Sequence, residues 1–224
     1  HIVEGITLDH PAIFPLDYML AFSDYVGRYN EQPTRQTVVI GNDILAKKKN
    51  IPLAQRNQFR TLLVVPQLAD GEMLMELSLK VAVQNPDWQI IFKVKPSNFD
   101  QINQAKDRFE GTQNIEVMAG ERNMMDLLDE AHAVLLTHST TFYEALHRNV
   151  KCLIYKRSNY MMFQDNFELP NVHSVDELTD IKTALEKPII YNPEMDGLFY
   201  QPFDKEALEQ VLSEINTTEN SVLL

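Results

Sequence analysis

The stretch Ala133-Val-Leu-Leu136, then Thr137, then His138-Ser-Thr-Thr-Phe-Tyr-Glu-Ala-Leu146, decides how this chain is read. Four consecutive apolar residues predict a buried strand. Thr140 to Arg148 has the pattern of a short helix. Ser139, Thr140 and Thr141 therefore stand where a strand turns into a helix. The first turn of a helix offers unpaired N–H groups and a partial positive charge, which suits a phosphate or diphosphate. Glu144 falls about one turn further along, within reach of a ribose carried by that phosphate. An ordinary N-cap would place a serine or threonine here too, and local pattern alone does not separate the two.

Upstream of this junction the same alternation repeats. Thr61-Leu-Leu-Val-Val65 ends at Pro66 and reads as a buried strand. Gly71 to Gln84 has helical spacing and is broken at Asn85-Pro86-Asp87. Trp88 to Val94 is the next strand, Phe99 to Phe109 a helix stopped by Gly111, and Ile115 to Met118 a short strand. Asn123 to Ala131 reads as a helix capped by Asn123, and Lys151 to Tyr155 as the strand after the key helix. The implied fold class is α/β: a Rossmann-like parallel sheet with helices on both faces. Ligands of such sheets sit outside the carboxyl ends of the strands. Pro66-Gln67, Lys95-Pro96, Ala119-Gly120 and His138-Ser139 all lie at such ends.

The first sixty residues read differently. Tyr18 to Phe22 and Thr37 to Ile40 look like strands, and Lys47-Lys-Lys49 like a solvated loop. Asp204 to Ile215 reads as a helix and 216–224 as a frayed tail. The expected division is 1–60 as a crossing segment and hinge, 61–200 as the nucleotide-binding domain, and 201–224 as helix and tail.

A formal net charge of −12 argues against a general nucleic-acid binder, because nothing offsets phosphate repulsion. It leaves room for one phosphate pocket built from local donors. Cys152 is the single cysteine, so no intrachain disulfide is possible, and its apolar surroundings mark it as a small buried hydrophobe. No apolar run approaches the ~18 residues of a membrane span, and no signal peptide is visible. The expected placement is cytoplasmic, with at most peripheral association on the inner face of the membrane. No metal or cofactor is expected: no histidine pair has ligand spacing and there is no GxxxxGK[ST] loop.

With these residues in order, the stretch from His1 to Phe167 resembles the C-terminal half of GT-B glycosyltransferases that build bacterial surface polysaccharides, in the sialyltransferase-like and polyol-phosphate-transferase-like group. Such proteins carry a lysine-x-histidine-proline element, matched here by Lys93-Val-Lys95-Pro96, and a serine-rich element before Glu-Ala, matched by His138 to Ala145. The turn Ile40-Gly41-Asn42 resembles the hinge into this domain. The resemblance implies that Lys95, Ser139, Thr140, Thr141 and His138 bind a nucleotide phosphate, and that Glu144 binds the ribose. Lys95 stands where the family has histidine; it can neutralise a phosphate but does not shuttle protons near neutral pH. Lys93, a pleat further in, reads as structural. His132 and His147 read as surface histidines, and His10 and His173 stay undecided.

The resemblance further implies a nucleotide-sugar partner, with a CMP-sugar as first choice and UDP-sugars or CDP-polyols next, and a growing surface glycan as acceptor. It implies an N-terminal domain preceding His1, which would hold the catalytic base, with His1 to His10 as the remnant of the crossing segment. Two alternatives stand beside glycosyl transfer: an epimerase-like enzyme acting on a UDP-sugar, and a non-catalytic binding module of a polysaccharide assembly complex.

Overall fold

The computed structural model describes residues 16–28, 34–157 and 160–222. The proposed remnant His1 to His10 lies outside them. In chain order the elements begin with β1 (Leu16–Ala21), α1 (Asp24–Arg28), β2 (Thr34–Val39), α2 (Asp43–Ala46) and α3 (Leu53–Arg56). Then come β3 (Thr61–Val64), α4 (Gly71–Gln84), β4 (Gln89–Lys93), α5 (Phe99–Arg108), β5 (Ile115–Met118) and α6 (Met124–Glu130). The chain continues through β6 (Ala133–Leu136), α7 (Thr141–His147), β7 (Lys151–Tyr155), β8 (Val172–Val175), α8 (Leu178–Glu186) and α9 (Lys205–Val222). No helix among the described residues is long and apolar enough to cross a membrane.

Contacts divide the chain into two compact units, Lys48–Asp196 and a discontinuous one made of His1–Lys47 with Gly197–Leu224. The divisions thus fall at 47/48 and 196/197, while the sequence suggested 60/61 and 200/201.

The larger unit holds a six-stranded, wholly parallel sheet in the order β5-β4-β3-β6-β7-β8. This is the 3-2-1-4-5-6 arrangement of doubly wound nucleotide-binding folds. Its central strands carry consecutive apolar residues because both faces are covered. Leu62, Val64, Ile90, Phe92, Ala133 and Leu135 belong to one core with Leu74 and Val81 of α4, Ile102 and Ala105 of α5, and Ile181 and Ala184 of α8. The alternate residues Leu63, Ile91, Val134, Leu136, Cys152 and Ile154 point to the other face and are equally buried. On that side α6 packs against α7, and Phe142 stacks on Phe163 at 4.2 Å.

Local chemistry sets the helix ends. Asn123 accepts from the Asp126 amide at 2.8 Å and starts α6. Asn149 takes a left-handed φ of 54° just past α7, a conformation asparagine tolerates at helix ends. Gly111 follows α5 with φ 81°.

In the smaller unit β1 and β2 pair in parallel, from Leu16 opposite Thr34 to Ala21 opposite Val39. Helix α9 runs to Val222, past Ile215, where the sequence reading ended it. Polar residues from Asn216 to Asn220 hide the helix from an apolar-periodicity reading.

Two histidines correct the sequence reading. His132 and His147 are buried, at 2% and 3% exposure, not superficial. His132 is accommodated because Lys151, itself fully buried, donates to its Nε2 at 3.2 Å. Lys151 also donates to the carbonyls of Ala184, at 2.6 Å, and Lys187 at the end of α8. Helix-terminal carbonyls and the local dipole suit a cation there. In the basic run 47–49, Lys48 meets Asp196 at 2.5 Å and Lys49 meets Asp129 at 3.7 Å.

Candidate functional site

The strand order places the ends of β5, β4, β3 and β6 side by side on one edge of the larger unit. The loops after them carry Gly120, Lys95, Gln67 and His138. A Cβ on Gly120 would lie 3.8 Å from Pro96, so the first two ends touch. The order reverses between β3 and β6, and in doubly wound sheets ligands bind at that switch point.

Hydrogen bonds tie this rim together. Lys95 Nζ donates to Gln67 Oε1 at 3.0 Å. The Gln67 amide donates to Asp70 Oδ1 at 2.7 Å, and its carbonyl accepts from Gln101 at 3.1 Å. Asp70 Oδ2 accepts from the Thr137 hydroxyl, whose oxygen lies 3.1 Å from His138 Nδ1. Gln101 reaches the loop because residue 71 is glycine; a Cβ there would meet its Nε2 at 1.9 Å.

Ser139 is next in the chain. Its hydroxyl donates to Thr141 Oγ1 at 3.2 Å and accepts from the Thr141 amide at 3.3 Å. Thr141 is buried and its side chain bonds the Glu144 carboxyl. Burial pushes the Glu144 carboxyl above its ordinary value, opposed by the Arg148 charge and by Thr141. Thr140 stands at the N-cap position, is exposed, and makes no side-chain capping bond.

Thus His138, through Thr137, Asp70 and Gln67, connects to Lys95, while Ser139, Thr141 and Glu144 form an adjoining chain of contacts. Lys93 is buried, and burial pushes its ammonium below the usual lysine value against the opposing pull of Glu121.

Asp70 and Thr137 were not singled out from the sequence. An aspartate before a helix reads as an N-cap, yet Asp70 makes no capping bond and spends its carboxylate on the strand loops. Thr137 reads as the last residue of an apolar strand. A separate cleft of about 360 Å³ lies at the opposite edge, where residues preceding β3, β4 and β6 (Arg60, Trp88 and His132) meet Lys187. None of the expected site residues lines it.

No protein-family model matches the chain, and no curated protein matches it. Solved structures match its fold. A UDP-GlcNAc 2-epimerase from Methanocaldococcus jannaschii, in complex with UDP-GlcNAc and UDP, is similar at 15% identity and TM-score 0.56, over 90% of this chain and 61% of that one. A glycosyltransferase from Rickettsia africae is similar at 10% identity and TM-score 0.54, over 88% and 62%. A UDP-GlcNAc 2-epimerase from Neisseria meningitidis bound to UDP-GlcNAc is similar at 12% identity and TM-score 0.52, over 82% and 56%. The chain spans 56% to 62% of the lengths of these structures, so each match is to part of a longer protein. At these identities the likeness is one of fold: a Rossmann-like domain of the GT-B kind, shared with UDP-sugar epimerases and glycosyltransferases.

Proposed function

We propose that this chain is the nucleotide-binding half of a nucleotide-sugar enzyme and that its nucleotide is UDP. The observation that carries the reading is the polar rim at the switch point between β3 and β6, where Lys95, Gln67, His138 and Ser139 gather. Lys95 supplies positive charge in a chain of net charge −12. Ser139 and Thr140 offer hydroxyls, and Glu144 offers two acceptor oxygens to a ribose. A UDP ligand takes precedence over the CMP-sugar suggested by the sequence resemblance, because epimerases bound to UDP-GlcNAc, one of them also to UDP, recur among the fold neighbours. An epimerase-like reaction on a UDP-sugar is therefore the leading activity.

Transfer to a glycan is the second reading, supported by the Rickettsia africae fold neighbour. Products separate the two, since epimerisation needs no acceptor. In both readings the residues that complete the reaction belong to the second domain that the sequence resemblance implies.

Titration calorimetry with UDP, CMP, CDP and GDP tests the proposal. UDP is expected to bind best. Ser139→Ala and Lys95→Ala are each expected to weaken it by roughly 1.5–3 kcal/mol, the size of a lost hydrogen bond to a charged group. Lys95→His should bind well below its ordinary imidazole value of about 6.5 and poorly above it. Equal affinity of all three variants and the parent chain for UDP would remove the rim as the binding site.

A further inference from the structure

We propose that Asp70 and Thr137 are positioning residues that hold His138 with a proton on Nδ1 and its Nε2 turned to the ligand, where it accepts from a ligand hydroxyl. The identity of the ligand rests on the nucleotide-sugar reading; the orientation of His138 rests on geometry alone.

The argument counts protons. A carboxylate only accepts hydrogen bonds, so the contact between Thr137 Oγ1 and Asp70 Oδ2 uses the threonine's one proton. The Thr137 oxygen is left as an acceptor. His138 Nδ1 lies 3.1 Å from it and 4.0 Å from Asp70 Oδ2. Two lone pairs would repel at that range, so Nδ1 carries the hydrogen. In a neutral imidazole Nε2 is then the acceptor, on the side of the ring away from Asp70 and Thr137.

Both supports are held firmly. Thr137 is fully buried and Asp70 is 5% exposed. The Gln67 amide holds the other carboxylate oxygen at 2.7 Å. Asp70 therefore bridges the loops after β3 and β6 across the switch point. The His138 side chain keeps 13% of its exposure, and its Nδ1 edge is the one that faces Thr137 and Asp70.

The chemistry follows from the tautomer. In its neutral form a ring with the hydrogen on Nδ1 has its lone pair on Nε2, which accepts from a hydroxyl of the ribose or sugar and repels a phosphate oxygen. The phosphate falls to Lys95 and Ser139, and His138 reads a hydroxyl beside it.

Ring ¹H–¹⁵N spectra of the whole chain, taken above the ordinary imidazole value of about 6.5, test this, with His138 assigned by its loss in His138→Gln. The parent chain and Thr137→Ser are expected to show the Nδ1–H form. Thr137→Val and Asp70→Asn are expected to move the ring to the Nε2–H form and to weaken UDP binding about fivefold or more, with Thr137→Ser retaining it. An Nε2–H ring in the parent chain overturns the inference without recourse to any variant. So does a Thr137→Val chain whose tautomer is unchanged. An Nδ1–H ring that responds to both substitutions in a chain with no affinity for UDP supports the positioning role and removes the nucleotide reading, so the two fail separately.

Discussion

Acidifying the chain from pH 7 to pH 4 is expected to strip several kcal/mol from the stability of the larger unit, through two histidines that must stay neutral. Burial, reinforced by the Lys151 charge, pushes the His132 imidazole down to about 4 from 6.5. Burial does the same to His173, again with Lys151 and then Lys187 adding to it, to about 4. Between these values the unfolded chain takes up protons that the folded chain refuses. Stability is therefore full above about 6.5 and falls with pH until about 4, below which these groups take nothing more. The shift at His132 alone corresponds to about 3 kcal/mol, and His173 adds in the same direction. The structural reason is specific. Lys151 donates to His132 Nε2, so a proton there would face an ammonium at 3.2 Å. Urea midpoints at pH 7, 6, 5 and 4 check the loss. His132→Gln, which keeps an acceptor without titrating, should lose about 3 kcal/mol less than the parent over this range. Parallel pH profiles for the two chains would contradict the account.

Gly41→Ala is expected to disrupt the smaller unit by about 3 kcal/mol or more. Residue 41 has φ +66°, and a Cβ there would lie 1.9 Å from the Pro202 carbonyl oxygen and 2.6 Å from that of Gln201. Both obstacles are backbone, so they yield only if the segment before α9 moves. That segment is held by short bonds: Asn42 N to Gln201 O at 2.8 Å, Asp204 N to Ile40 O at 2.7 Å, and Phe203 N to Asp43 Oδ1 at 2.8 Å. Moving it breaks these together and frees the start of α9. Hydrogen exchange at the Asn42, Phe203 and Asp204 amides reads the outcome. Faster exchange at all three is expected; unchanged protection would show that the close approach can relax at little cost.

Much of the larger unit was legible in the sequence because buried parallel strands are written as apolar runs. Ile115–Met118, Lys151–Tyr155 and Gly71–Gln84 carry the bounds read from periodicity and breakers. β8 escaped because Val-His-Ser-Val offers only four residues, two of them polar. His132 was misread because its burial depends on Lys151, nineteen residues away, and neither residue announces the other. Asp70 was passed over for a related reason. Local pattern shows an aspartate before a helix, while its partner Thr137 is sixty-seven residues along and meets it only once β3 and β6 pair. The hydroxyl-rich junction at 139–141 was visible because its residues are neighbours in the chain. Links between strand loops are a product of topology, which a single sequence encodes only through its whole fold.

The central claim is that the carboxyl edge of β3, β4 and β6 binds the nucleotide of a nucleotide sugar. The most direct measurement is a ¹H–¹⁵N amide spectrum of the chain titrated with UDP. Saturable shifts confined to Gln67 to Asp70, the amide of Lys95, and Thr137 to Thr141 are the result expected. No saturable shifts, or shifts gathered at Arg60, Trp88 and Lys187 on the opposite edge, would contradict it.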